Sequence, residues 1–119
     1  MEEFIDLHVH TYISDSSFSP ERVVEEAVKQ KFSAIAITDH DAVDGIDRAL
    51  QASEKHNLEI IPGIELSTDE NGKEIHILGY FIDWKNKELL DRLVFLRNER
   101  VKRAKGIITD IGGLSCHAA

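Results

Sequence analysis

The run Ala34-Ile35-Ala36-Ile37-Thr38 constrains this chain more than any other stretch: it is apolar almost throughout, of strand length, and ends abruptly in Asp39-His40-Asp41. A strand without polar alternation must be covered on both faces, the condition of a parallel strand flanked by helices. The chain is therefore expected to alternate strands with helices in an α/β arrangement. At 119 residues it has room for one domain with a real core, and is too short for two of ordinary size.

The flanking sequence fits that expectation. Residues 4–9 alternate apolar and polar side chains and read as a first strand. Ser19-Pro20-Glu21 is a helix start, with a hydroxyl N-cap, proline at the first helical position and an acid in the first turn; Val23, Val24, Ala27 and Val28 form its apolar stripe. Residues 44–56 read as a second helix with a capping-box-like start from Asp44 to Asp47, and residues 59–67 as a third strand. Asn71-Gly72 marks a hairpin that returns residues 75–81 antiparallel to it. A long amphipathic helix over residues 87–110, with Leu89, Leu90, Leu93, Leu96 and Val101 among its apolar positions, is closed by Gly112-Gly113. Residues 113–119 are expected to fray.

Apolar residues make up 42% of the chain and charged residues 30%, which excludes the disordered class. The 22 acidic and 14 basic side chains give a net charge of −8, the wrong sign for an extended nucleic-acid surface. An anionic substrate would need a local source of positive charge, such as bound divalent metals. The single cysteine, Cys116, precludes an internal disulfide, and no apolar run approaches the length of a membrane span. A reducing cytoplasm is the expected compartment.

The six histidines are not scattered. His8 and His10 stand at i and i+2 on the first strand and share a face, close enough to hold one metal ion. Ligands in α/β sheets gather at the carboxyl ends of the strands, and each predicted strand brings metal-capable side chains there: His8, His10 and Asp15, then Asp39 and His40, then Glu65, then His76. A turn centred on Asn71-Gly72 sets His76 opposite Ser67 and diagonally near Glu65. A calcium-loop reading of residues 39–50 fails, because its sixth and twelfth positions are Asp44 and Leu50, where glycine and glutamate are required. Asp41 and Asp44 read as loop and helix-cap residues, and His56 as a surface residue. Cys116 and His117 lie in the tail. Arg97, Arg100 and Arg103 form a solvated helix face or meet a substrate phosphate.

Taken together, His8-Val9-His10, Ser14-Asp15, Thr38-Asp39-His40-Asp41, Pro62-Gly63-Ile64-Glu65 and His76-Ile77-Leu78-Gly79-Tyr80 resemble the N-terminal half of the PHP family, the polymerase and histidinol phosphatase superfamily, and above all its small bacterial phosphoesterases. The resemblance implies one PHP domain over residues 1–119, comprising the N-terminal half of a distorted (β/α)7, TIM-like barrel. It implies two or three divalent ions (Mn, Zn, Fe or Mg): His8 and His10 on a first, Glu65 bridging first and second, His76 on the second, Asp15 with His40 on a third. Asp39 and Glu65 are then the candidate catalytic carboxylates, Asp39 by orienting a ligand. Ser16 stands where the family usually has glycine, and a later histidine and an aspartate-x-histidine pair that complete the family's metal shells have no counterpart here.

The implied activity is hydrolysis of a nucleotide or short oligonucleotide phosphate by a metal-bridged hydroxide. The implied partners are a phosphorylated small molecule or an oligonucleotide end, with no membrane. Half a barrel leaves an open sheet edge and an uncovered apolar face, to be covered by a further C-terminal half or by self-association. Two rival readings stand beside this one: a non-catalytic metal-binding or structural PHP module, and an amidohydrolase-type hydrolase, which also begins with two histidines on its first strand.

Overall fold

A computed structural model describes residues 3–110 of the chain. Along them run β1 (Phe4–Val9), α1 (Pro20–Lys29), β2 (Phe32–Ile37), α2 (Ile46–Ser53), β3 (Glu59–Glu70), β4 (Lys73–Tyr80) and α3 (Lys87–Asp110). The chain up to Lys85 forms one compact unit, and α3 belongs to a second that begins at Asn86. The Gly112-Gly113 stop, the tail expected to fray, and Cys116 with His117 lie outside the described residues.

In the first unit the strands form one sheet in the order β1-β2-β3-β4. The first three are parallel, and β4 returns antiparallel to β3. β2 is the strand that the apolar run demands. Ala34, Ile35, Ala36 and Ile37 are all buried, and with Ile60, Ile61 and Ile64 of β3, Val24 of α1 and Ile46 of α2 they make the core. Each buried aliphatic side chain of this size contributes on the order of 1.5–3 kcal/mol, so the β2 segment anchors the unit. The hairpin is made as its dipeptide requires: Asn71 and Gly72 have φ of 53° and 79°, between the paired residues Glu70 and Lys73.

The sheet is curled. β1 and β4 are its outer strands, and in a flat sheet they would lie about 14 Å apart. Yet the Tyr80 hydroxyl at the end of β4 donates a 2.6 Å hydrogen bond to the carbonyl of Leu7 in β1. Apolar side chains of both outer strands remain exposed, among them Phe4, Ile5 and Leu7 on β1 and Ile75 and Ile77 on β4. This is the uncovered surface expected of a partial barrel. Among the described residues, no helix is long and apolar enough to cross a membrane.

α1 begins as read, with Ser19 accepting from the Arg22 amide at 3.1 Å. α2 does not begin at a capping box: its N-cap is Gly45, with no side-chain cap. Burial sets this start, because Ala42, Val43 and Ile46 are drawn into the core. Gly45 itself lies so close to Pro20 and Thr11 that a β-carbon there would sit 3.1 Å and 3.3 Å from them. Asp47 instead accepts from the Trp84 indole at 3.0 Å. α2 also ends at Ser53, where the Ser53 hydroxyl bonds the Leu50 carbonyl, which leaves His56 in an exposed turn.

The two helices are tied by Arg48, whose guanidinium holds Glu21 in two bonds of 2.7 and 2.9 Å and reaches the Tyr12 hydroxyl at 2.6 Å. In the second unit α3 is capped by Asn86, whose side chain accepts from the Leu89 amide at 3.0 Å. Leu90 and Val101, read as part of its buried stripe, are exposed. No other described helix or strand lies in that unit to cover them.

At Gly63 the backbone of β3 is closely flanked on both sides. An added β-carbon would lie 2.8 Å from the Thr38 methyl, 3.0 Å from the Gly79 carbonyl and 3.1 Å from the Ile37 carbonyl. Gly63→Ala is therefore expected to destabilise the first unit by about 1–3 kcal/mol. Gly106→Ala, in α3 with nothing within 4 Å, should stabilise its helix by about 0.5–1 kcal/mol; thermal unfolding of both variants checks the contrast. The hydrogen bonds from Arg48 hold the Glu21 carboxyl below the ordinary glutamate range, against a smaller upward push from burial. A depressed folded pKa gives stability that is present above the unfolded pKa and lost as pH falls through the folded one. The stability gap between wild type and Arg48→Ala should accordingly be open at neutral pH and close in acid, as measured by urea unfolding across pH.

Candidate metal centre

The site is built at the carboxyl end of the parallel strands. His8 and His10, on one face at the end of β1, have ring centroids 5.0 Å apart. The segment after β2 adds His40, whose ring lies 4.7 Å from that of His10, and β4 adds His76, 5.0 Å from His40. The four imidazoles thus form a continuous arc. The register His76↔Ser67 is the one a turn at Asn71-Gly72 dictates, and it brings His76 to Glu65 across the hairpin.

Glu65 stands in the middle of the arc. Its side chain is only 5% exposed, and its Oε1 lies 2.9 Å from His8 Nε2, 2.8 Å from His10 Nε2 and 3.5 Å from His40 Nε2. Oε2 faces the other way, 3.1 Å from His76 Nδ1. Asp15, on the loop after β1, bonds His10 Nδ1 and approaches His40 Nε2 at 3.3 Å. Burial alone would raise the Glu65 carboxyl, but hydrogen bonds from His8 and His10 and the positive charge of His40 and His8 outweigh it and hold it low. Asp15 is held low in the same way, with burial outweighed by His10, His40 and Ser14. His76 is pushed up, chiefly by its hydrogen bond to Glu74 and against burial, with the charges of Glu74 and Glu65 adding to the rise.

Asp39 sits outside this arc. It is almost fully buried, and its carboxylate accepts from the Thr11 amide, the Thr11 hydroxyl and the Ser14 hydroxyl, each at 2.7 Å. These bonds tie Asp39 to the loop that separates His10 from Asp15, and in these contacts it touches no imidazole of the arc. Arg97, Arg100 and Arg103 lie on α3, in the second unit, with Arg97 half-buried and the other two exposed. Sequence reasoning missed the Glu74 carboxylate, 3.1 Å from His76 Nε2, although its position two residues earlier on the same strand face was a usable cue. It also missed the hydroxyls of Thr11 and Ser14, for which the sequence carries no cue.

The donor chemistry fits divalent metal ions. Among the described residues, three groups of ligand atoms each lie within 4.8 Å of one another: His8, His10 and Glu65; His10, Asp15 and His40; His40, Glu65 and His76. Neutral imidazole nitrogens and ionised carboxylate oxygens are the ligands that Zn²⁺, Mn²⁺ and Fe²⁺ take. An α/β sheet whose parallel strands and one antiparallel return bring such donors together defines the class of protein. Residues 6–107 match the PHP domain family, and the chain belongs to it.

Several of the proteins this chain resembles are named for reactions of phosphate esters. The chain is 36% identical over 104 residues to a 5'-3' exoribonuclease of Haemophilus influenzae, covering 87% of this chain and 38% of that protein. It is 32% identical over 101 residues to a 3',5'-nucleoside bisphosphate phosphatase of Chromobacterium violaceum, covering 85% and 35%. The chain therefore spans little more than a third of the length of these curated relatives. A structure from Bifidobacterium adolescentis, assigned as a metal-dependent phosphoesterase, superposes with a TM-score of 0.82 at 29% identity, covering 96% of this chain and 40% of that one. An amidohydrolase of Chromobacterium violaceum, solved with bound sulfate and no metal, superposes with a TM-score of 0.82 at 28% identity, covering 94% and 39%.

The sharing of ligands between groups makes the side chains unequal. Glu65, His10 and His40 each belong to two groups, whereas His8, Asp15 and His76 belong to one. Substituting a shared residue, as in Glu65→Gln or His10→Ala, is expected to remove more bound metal than His8→Ala or His76→Ala, while circular dichroism stays near that of wild type. Metal content after dialysis, measured by plasma mass spectrometry, checks this; equal losses across the set would refute it.

Proposed function

We propose that this chain supplies the first strands of a metal-dependent phosphoesterase built on a distorted (β/α)7 barrel, acting on a nucleotide or the end of a short oligonucleotide. The observation that carries the reading is the buried Glu65 carboxylate, with one oxygen toward His8 and His10 and the other toward His76. A carboxylate divided in this way suits two ions held side by side. His8 and His10 with Glu65 would hold one, and His40 and His76 with Glu65 another; Asp15 with His10 and His40 offers room for a third.

When bound, such ions supply Lewis acidity and about +4 to +6 of local charge at a phosphoryl group, which the net-negative chain otherwise lacks. The protein's part is to fix the geometry. Glu65 holds the arc together, and Asp39 keeps the loop bearing Asp15 in place. The names of the relatives, an exoribonuclease and a bisphosphate phosphatase, support the phosphoester and leave the particular substrate to assay. The single cysteine suits a cytoplasmic site of action.

The test is phosphate release from a 3',5'-nucleoside bisphosphate and from 5'-phosphorylated RNA oligonucleotides, with Mn²⁺, Zn²⁺, Fe²⁺ or Mg²⁺ added and with chelator. The assay is run on this chain and on one extended to the length of its relatives. Chelator-sensitive release, lowered at least 100-fold by Glu65→Gln, is expected of a preorganised metal site. Metal uptake without release from either chain would favour the non-catalytic module, and hydrolysis of amides alone would favour the amidohydrolase reading.

A further inference from the structure

Beyond β2 the chain continues to pair with β3 for one further step. The Glu65 amide donates to the Asp39 carbonyl at 3.1 Å, the Asp41 amide donates to the Glu65 carbonyl at 3.0 Å, and His40 pairs with Glu65 as a parallel bridge. In a parallel ladder the next bond would run from the Ser67 amide to the Asp41 carbonyl. It does not, because at Asp41 the backbone enters the left-handed region, with φ of 48°, and turns away toward α2. The Asp41 side chain takes the carbonyl's place: its Oδ1 accepts from the Ser67 amide at 3.1 Å.

Asp41 is 1% exposed, so a carboxylate has been buried at a left-handed position. Each of these features opposes folding by itself. Together they do what a glycine at this turn could not, since glycine would make the turn and leave the Ser67 amide without this acceptor. Aspartate and asparagine are the residues that tolerate left-handed backbone and also carry an acceptor.

Ser67 in turn faces the arc. Its Oγ lies 3.4 Å from His40 Nδ1, while His40 Nε2 points to Asp15 and Glu65. A histidine that binds metal through one ring nitrogen is normally held by a hydrogen bond at the other, which fixes both tautomer and ring plane. The Ser67 hydroxyl can accept from Nδ1–H and leave the Nε2 lone pair for a metal ion held together with Asp15 and Glu65.

We propose that Asp41 and Ser67 are positioning residues of the metal centre: Asp41 replaces a ladder carbonyl to hold β3 in place around Glu65, and Ser67 sets the His40 ring with Nε2 toward its ligand site. The proposal rests on the metal-binding reading of the arc. It assigns a role to two residues outside the ligand set, one of which reads from sequence as an ordinary loop aspartate.

The experiment is titration of the purified chain with Co²⁺, followed by its visible absorption bands, in wild type, Glu65→Gln, Asp41→Ala, Asp41→Asn and Ser67→Ala. Unfolding curves are recorded alongside. Wild type should bind and Glu65→Gln should lose most of its binding. Asp41→Ala and Ser67→Ala should weaken affinity by about 10- to 100-fold and alter the absorption bands, and Asp41→Asn, which keeps the acceptor, should return close to wild type. Should Asp41→Ala fail to fold, Ser67→Ala decides. Wild-type affinity and bands in Ser67→Ala, or in a folded Asp41→Ala, overturn the proposal while leaving the metal reading intact. Absence of Co²⁺ binding by wild type overturns both.

Discussion

The candidate metal centre is organised around one buried charge. A carboxylate removed from water is costly unless opposite charge or hydrogen-bond donors surround it, and Glu65 meets that condition only because side chains from β1, β4 and the segment after β2 converge on it. The convergence follows from topology. Parallel strands put their carboxyl ends on one side, so His8, His10, His40 and Glu65 start near one another before any side chain turns. β4 runs the other way and contributes from its middle, which the hairpin register makes possible. The apolar core around Ile35, Ile37 and Ile64 provides the platform, and Glu65 gives the platform its single focus.

Much of this was legible in the residues. The unbroken apolar run of β2 announced a strand covered on both faces, and Asn71-Gly72 fixed the register of the hairpin to the residue, including the pairing of His76 with Ser67. Periodicity and turn chemistry carry those facts locally, so a single sequence suffices. The start of α2 was not legible, because the local preference of Asp44 and Asp47 for a capped helix was overridden by burial of Ala42 and Val43 and by the tight seat of Gly45. Exposure along α3 was not legible either, since an apolar stripe states what a helix would bury and not what lies beside it.

In the site, the residues that contact one another through imidazole and carboxylate groups were readable from the histidine pair at the end of β1, the acid-histidine segment after β2 and the hairpin register that sets His76 near Glu65. The contacts made by the residues around them were not. Asp39 reaches back 28 residues to Thr11, and Asp41 reaches forward 26 residues to Ser67. Such contacts join a side chain to a backbone amide on another element, and nothing in residue type or spacing encodes which amide will be near. The same holds for Arg48, which in the fold joins α1, α2 and the loop carrying Tyr12.

The bond from the Tyr80 hydroxyl to the Leu7 carbonyl has a mechanical meaning. It joins the last described strand to the first, as a chord spans an arc, and so ties the two outer strands of the sheet directly to each other. The first histidine of the arc follows directly on the residue to which the chord is tied. Any polypeptide that paired with the exposed edge of β1 would meet a surface already shaped, with the imidazoles already facing inward.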